Sequence, residues 1–182
     1  MTQTADRFAL LLASAACLTL VSCSKQETPA PKETVDPVKR GEYLVTVLGC
    51  HDCHTPGYFY GRPDMTRMLS GSELGWEGPW GTTYARNLTP DQETGLGPWT
   101  EDMIVTAIRT GKRPDGTAIG PPMPWPDLAH LTDEDAHAVA KYLKTIPPVP
   151  HQVPARLAPG VKPKGGAFVL PAPPAWDAPK GG

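Results

Sequence analysis

Three stretches of the chain carry apolar side chains at the three- and four-residue spacing of an amphipathic helix. Each begins at a residue that caps helix amino termini, namely Asp36, Thr100 and Thr132. Gly111 ends the second stretch because glycine suits a helix C-cap, and a proline pair beginning at Pro147 stops the third. The pattern therefore predicts three short helices, the first running into residue 50.

Long segments without periodicity separate these helices. The chain has 23 prolines and 18 glycines among its 182 residues, concentrated after residue 54. Both residue types interrupt regular structure, so few and short elements are expected. We predict an all-α fold of a few short helices joined by long loops. The formal net charge of −2 is too small to indicate what class of molecule the protein binds.

A cofactor is indicated by the sequence Cys50-His51-Asp52-Cys53-His54, which reads as an attachment site for a c-type haem. Two thiols separated by two residues can add to the two vinyl groups on one edge of a porphyrin. The neutral imidazole of the histidine that follows can then offer a nitrogen lone pair to iron as an axial ligand. Because the motif occurs once, we expect one haem, held by Cys50, Cys53 and His54.

Two other sites use closely spaced thiols: a redox-active Cys-x-x-Cys disulfide and half of a zinc site. A zinc site would require a second pair of ligands at a suitable spacing, and a thioredoxin-like motif would follow a strand in a βαβ pattern. Neither feature is visible in the sequence. Haem attachment is therefore the favoured interpretation.

Residues 55 to 99 show no convincing periodicity and form a segment far longer than an ordinary loop. A large, flat, apolar cofactor can serve as the core around which such a segment wraps. Its aromatic side chains either contact that cofactor or only pack against one another. The candidates are Tyr58, Phe59, Tyr60, Trp76, Trp80, Tyr84 and Trp99.

A haem that only carries electrons usually has a second axial ligand, and a methionine thioether raises the reduction potential. Met123 is the preferred candidate because it lies among four prolines in residues 120–126, which make a stiff loop. Met103 lies on an apolar helix face, where packing is the usual role. Met65 and Met68 follow His54 so closely that a tight wrap would be needed.

The haem propionates need hydrogen-bond donors in a partly buried setting. By residue type the candidates are Arg86, Asn87, Tyr84 and Trp125, and Arg113 and Lys112 could serve equally or be solvated charges. The other histidines are expected to face solvent, because His54 already meets the need for a proximal ligand. They are His51, His130, His137 and His151.

The amino-terminal region reads as an export signal. An apolar run at 8–21 is too short to span a bilayer comfortably and ends in Leu-Val-Ser-Cys, which resembles a bacterial lipobox. Cys23 would then be lipidated and anchor the protein to a membrane. Ser24 favours the outer membrane, and the protein would face the periplasm. The alternative is ordinary cleavage nearby, which would leave Cys23 as a free thiol.

The chain therefore divides into four predicted parts. They are a lipoprotein signal peptide at 1–22, a flexible tether at 23–35, a cytochrome c domain at 36–150 and a Pro/Gly-rich tail at 151–182. The tail is expected to extend over the surface or to be disordered, although Phe168, Val169 and Trp176 could dock. It is assigned no chemistry.

These features together resemble a class I cytochrome c over residues 37 to 150, which implies a cytochrome c-like fold wrapped around one covalently bound haem. The resemblance rests on CHDCH, on the spacing from His54 to Met123 and on two terminal helices that place Gly41 and Tyr142 where they would cross. The sequences NLTPDQETGLGPWTEDM, AIRTGKRPDG, PPMPW and LTDEDAHAVAKYLKTIPPV are similar to haem domains in the cytochrome c subunits of membrane-bound alcohol, aldehyde and gluconate dehydrogenases. Those subunits carry several haem domains and a membrane-anchoring segment, whereas this chain has one domain and a lipobox.

The resemblance implies an electron carrier without substrate turnover, whose partners are redox proteins such as a dehydrogenase or a terminal oxidase or reductase. Nucleic acid is not an expected partner, because two ionised propionates would make the protein more acidic. One alternative is a haem enzyme or sensor with an open or weakly held sixth site. Another is an electron-transfer subunit of a membrane dehydrogenase complex.

Overall fold

The structure is a computed structural model that describes residues 35–171. The predicted signal peptide, Cys23, the tether up to residue 34 and Trp176 lie outside the described residues. This described part of the chain contains five helices: α1 (Pro37–Val47), α2 (Cys50–His54), α3 (Glu101–Thr110), α4 (Trp125–Leu128) and α5 (Asp133–Thr145). There are also two single 3₁₀ turns, Tyr58–Tyr60 and Met65–Arg67, and three strands, β1 (Gly75–Gly78), β2 (Gly81–Tyr84) and β3 (Ala167–Val169).

The three helices expected from the hydrophobic pattern are α1, α3 and α5, and their predicted caps are confirmed. The side chains of Asp36, Thr100 and Thr132 each accept a hydrogen bond from a backbone N–H in the first turn, at 2.8, 3.2 and 3.1 Å respectively. Gly111 follows α3 with φ of 66°, the left-handed conformation that glycine adopts without strain. The starts of these helices and the end of α3 are therefore determined locally. The prediction that the first helix runs into residue 50 was wrong, because α1 ends at Val47 and Gly49, with φ of 66°, separates it from α2.

Helices α1 and α5 cross in close contact at Gly41 and Tyr142, where the sequence placed the crossing of the two terminal helices. A Cβ at Gly41 would overlap the carbonyl oxygen of Ala138 and lie 2.7 Å from the Cβ of Tyr142. Around this crossing lies the hydrophobic core, which includes the buried side chains of Leu44, Val45, Ile104, Val139 and Leu143. Only glycine allows the two backbones to approach this closely.

An ion pair also joins the two crossing helices. Arg40 Nε and Nη2 donate to the two carboxylate oxygens of Asp135 at 2.8 and 3.2 Å. The hydrogen bond from Arg40 lowers the pKa of the Asp135 carboxyl group. Because the Arg40 side chain is 40% exposed, solvent screens the pair and limits its contribution.

Replacing Asp135 by asparagine is expected to cause a modest loss of stability at neutral pH. Since the pKa of the native carboxyl is lowered, the stabilisation is present above the unfolded pKa of about 3.9 and disappears as pH falls through the native pKa. The free energies of unfolding of wild type and D135N, measured by urea denaturation, should therefore become equal at low pH. A difference that persisted unchanged there would contradict an ionic role.

The small sheet was not expected, so the all-α prediction was incomplete. Its strand order is β2-β1-β3, with β1 antiparallel to β2 and parallel to β3. Trp76 of β1 pairs with Thr83 of β2 on one side and with Phe168 of β3 on the other. Strands of three or four residues are too short to show a convincing alternating pattern in sequence.

The segment after residue 150 runs back across the domain. His151 Nε2 lies 2.8 Å from a carboxylate oxygen of Glu73, and its Nδ1 lies 2.9 Å from the carbonyl oxygen of Ser70. Leu157 exchanges two backbone hydrogen bonds with Thr82, at 2.9 and 3.1 Å. The prediction that His151 faces solvent was wrong, because its side chain is only 10% exposed.

Within residues 35–171, no helix has both the length and the apolar character needed to cross a membrane.

Candidate cofactor site

A largely apolar cavity of about 390 Å³ lies beside the CHDCH helix. It is bordered by α2, by the segment after β2, by α3 and α5, and by the proline-rich loop before α4. Apolar side chains from distant parts of the chain line it, including Leu88, Leu96, Trp99, Ile104, Ile108 and Leu143. The cavity is therefore suited to a large apolar ligand.

Lys144 fixes one wall of this cavity. Its ammonium group donates hydrogen bonds to the carbonyl oxygens of Leu96, Gly97 and Trp99, at 3.0, 2.8 and 2.8 Å. Charge-assisted bonds of this kind are stronger than those between neutral groups. Lys144 thus ties the irregular segment that carries Leu96 and Trp99 to α5.

The two cysteines of α2 both line the cavity, and neither forms a disulfide. Burial raises the pKa of the Cys50 thiol to about 11 and also raises the pKa of Cys53. Redox-active cysteines have lowered pKa values instead, because their thiolate form is stabilised. The environment of these thiols is therefore unlike that of a thioredoxin-type site.

His54 is 7% exposed and lines the same cavity. Its Nδ1 lies 2.7 Å from the carbonyl oxygen of Arg86. Because a carbonyl can only accept, Nδ1 carries the proton in this bond and Nε2 keeps its lone pair. Burial lowers the pKa of His54 and favours this neutral form. The imidazole is thus oriented as metal-ligating histidines usually are.

The cavity distinguishes among the methionines of residues 35–171. Met123 lines it, together with Pro121, Pro122 and Pro124 of its loop. Met65 and Met103 are 60% and 41% exposed, and Met68 packs against the hydrophobic core. Thr83 Oγ1 also donates to the carbonyl oxygen of Pro121, which ties the loop to β2. The structure therefore places Met123 and His54 at one cavity.

The candidate propionate donors are in different situations. Arg86 is half-buried, lines the cavity and donates to the carbonyl oxygens of Val153 and Pro154 at 3.4 and 3.3 Å. Asn87 also lines the cavity, but its amide donates to Thr94 Oγ1 at 3.0 Å and to the carbonyl oxygen of Val149 at 2.8 Å. Both of its N–H groups are therefore committed to the protein.

Of the other two candidates, Tyr84 lines the cavity and Trp125 is not among the lining residues. The Trp125 indole instead covers Gly111, where a Cβ would lie 2.6 Å from the indole Cδ2. Arg113 also lines the cavity, as does Arg156. Arg156 was missed, because no local pattern in the carboxyl-terminal segment connects that residue with the cavity.

The aromatic side chains of residues 55 to 99 divide into two groups. Trp76, Tyr84 and Trp99 line the cavity. The other four are not among the lining residues: Trp80 is half-buried, and Tyr58, Phe59 and Tyr60 are 40%, 43% and 69% exposed. The segment thus contacts the cavity through some of its aromatic residues and faces solvent with others.

The arrangement fits a covalently bound haem. Among the described residues no cluster of three or more His, Cys, Asp and Glu side chains could hold a metal ion by itself. Two half-buried thiols and an oriented imidazole instead border an apolar cavity that the thioether-bearing Met123 also lines. These features are the ones expected of a c-type cytochrome.

Comparison with known proteins gives the same class. The chain is 38% identical over 113 residues to "Alcohol dehydrogenase (quinone), cytochrome c subunit" of Gluconobacter oxydans, covering 62% of this chain and 22% of that protein. It is 37% identical over 105 residues to "Gluconate 2-dehydrogenase cytochrome c subunit" of Pantoea cypripedii, covering 58% and 22% respectively. No protein-family model matches the chain.

A third relative, "Diheme cytochrome c-type" of Cereibacter sphaeroides, is 30% identical over 145 residues, covering 80% of this chain and 48% of that protein. The chain thus matches less than half the length of each of these relatives. It is similar to the haem domains of c-type cytochrome subunits, which confirms the resemblance found in its motifs. These names imply haem c as the cofactor.

Proposed function

We propose that this chain is a lipid-anchored monohaem cytochrome c that passes single electrons between redox proteins and does not turn over a substrate. The observation that carries the proposal is the apolar cavity shared by Cys50, Cys53, His54 and Met123. When bound there, haem c would supply one-electron chemistry between ferric and ferrous iron.

The residues of the chain have separate tasks in this proposal. Cys50 and Cys53 would hold the cofactor through thioether bonds. His54 would offer its Nε2 lone pair to the iron, and the carbonyl oxygen of Arg86 keeps the ring in the tautomer that allows this. Met123 would offer its sulfur to the same metal. The apolar lining excludes water, which helps to set the reduction potential.

The proposed partner is a dehydrogenase that delivers electrons to this domain. Support comes from the relatives, whose names describe cytochrome c subunits of alcohol and gluconate dehydrogenases. A second candidate follows from the same names, namely that this chain is itself a subunit of such a complex. Copurification of the chain with a dehydrogenase from solubilised membranes would favour the second candidate.

The proposed location is the periplasmic side of a membrane, with the lipid on Cys23. Support comes from the apolar run at 8–21 and the Leu-Val-Ser-Cys sequence that ends it. Ser24 favours the outer membrane. The polar, proline-containing tether that follows would let the haem domain reach partners at some distance from the anchor.

A haemochrome assay on membrane and soluble fractions tests this function. Wild-type protein should be found in the membrane fraction. Its haem should resist extraction with acid-acetone, because it is covalently attached. The variant C23S should move to the soluble fraction and keep its covalent haem, whereas C50A/C53A should lose covalent attachment. Wild-type protein without covalent haem would refute the proposed function, and rapid carbon monoxide binding by the reduced wild type would favour an open sixth site instead.

A further inference from the structure

Three arginines from distant parts of the chain line the cavity. Arg86 follows β2, Arg113 follows α3, and Arg156 lies in the carboxyl-terminal segment that was expected to be a tail without chemistry. The backbone pairing of Leu157 with Thr82, at 2.9 and 3.1 Å, fixes the position of this segment beside β2.

None of these guanidinium groups is paired with a carboxylate in the ion pairs formed within residues 35–171. Arg113 donates to Thr117 Oγ1 at 3.2 Å, and Arg156 Nη2 donates to the carbonyl oxygen of Trp80 at 3.1 Å. Asp115 also lines the cavity; its Oδ1 accepts hydrogen bonds from the backbone N–H and the hydroxyl of Thr117 at 2.9 and 2.7 Å, and its charge interacts with that of Arg113.

The three positive charges are also held close to the site. Arg86 and Arg113 are half-buried at the cavity, and Arg156 is exposed at its edge. The Arg156 guanidinium carbon lies 3.8 Å from where a Cβ on Gly120 would stand, next to the loop that carries Met123. Like charges at the two half-buried groups cost free energy unless an anion offsets them, and the exposed Arg156 adds a third positive charge that water partly screens. The planar guanidinium fork matches a carboxylate in geometry and charge.

We propose that Arg156 binds a propionate carboxylate of the haem, together with Arg86 and Arg113, so that the carboxyl-terminal segment forms part of the cofactor site. This inference rests on the proposed function, since it requires haem in the cavity. It gives residues 153 to 157 two tasks. The carbonyl oxygens of Val153 and Pro154 accept hydrogen bonds from the Arg86 guanidinium and orient it. Arg156 supplies a second guanidinium group for the carboxylate.

The test is the midpoint potential of purified holoprotein in which Arg156 has been replaced. A positive charge beside the haem favours the reduced state, so R156Q should lower the equilibrium constant for reduction by a fixed donor about two- to tenfold. R156K keeps the charge and should retain most of that constant. Arg62 is exposed and is not a lining residue, so R62Q serves as a matched control and should leave the constant unchanged.

Two further measurements separate the possible failures. Haemochrome content and circular dichroism should match wild type in all three variants, because Arg156 is exposed and contributes no core packing. If wild type carries covalent haem but R156Q leaves the potential unchanged, or R62Q lowers it equally, this inference is overturned and the proposed function stands. R113Q is a second variant and should lower the potential in the same direction.

Discussion

Replacing Met123 by alanine is expected to lower the reduction potential of the holoprotein by on the order of 0.1 V, within the ~0.8 V range that axial ligands control. A thioether stabilises ferrous iron, so its loss favours the ferric state. Alanine cannot reach the metal, which leaves a coordination position open. The reduced variant should therefore bind carbon monoxide rapidly. Redox titration and flash photolysis in the presence of carbon monoxide measure the two effects.

The controls for this prediction are the exposed methionines. M65A and M103A remove thioethers whose residues are 60% and 41% exposed, and neither is among the lining residues of the cavity. Both variants should keep the wild-type potential and resist carbon monoxide. An M123A protein with an unchanged visible spectrum and potential would show that Met123 only packs beside the cofactor.

Replacing Gly41 by alanine is expected to destabilise the fold by about 3 kcal/mol, at the upper end of what overpacking a core typically costs. The new Cβ would overlap the Ala138 carbonyl oxygen, which belongs to the backbone of α5 and cannot rotate away. The helices α1 and α5 must then separate, although they share much of the core. A loss of this size lowers the melting temperature by roughly 6 to 12 °C for a chain of this length.

Gly165 provides the matched control. A Cβ there would have one neighbour within 4 Å, the carbonyl oxygen of Glu73 at 3.7 Å, and its backbone has no positive φ. G165A should therefore change the melting temperature by no more than about 1 to 2 °C, as is usual for surface substitutions. If G41A had the same melting temperature as G165A, the helix crossing would tolerate a side chain and the close-contact argument would fail.

The two predictions show how differently fold and site depend on sequence. Gly41 could be interpreted from its helix alone, because a glycine in a helix interior indicates that another backbone approaches. Met123 could be preferred over other methionines because its prolines make the loop stiff. The structure adds what the sequence could not give, namely that the Met123 loop lies at the same cavity as His54.

The propionate candidates show the limit of reasoning from residue type. Arg86 and Asn87 are adjacent in sequence, and both can donate hydrogen bonds. The Asn87 amide already donates hydrogen bonds to Thr94 and to the carbonyl oxygen of Val149. The Arg86 side chain lines the cavity and forms no ion pair with a carboxylate in the described region. Which donors are already used depends on residues that are far away along the chain.

The sequence by itself determined where α1, α3 and α5 begin and the chemistry of the CHDCH turn. These features are local, because a cap acts on the next few residues and the two thiols and the imidazole lie within a single turn. Only the tertiary structure decided that β3 joins the sheet and that Arg156 reaches the cavity. Arg156 bonds to Trp80, 76 residues away, and a contact over that separation leaves no periodic or local pattern in the chain.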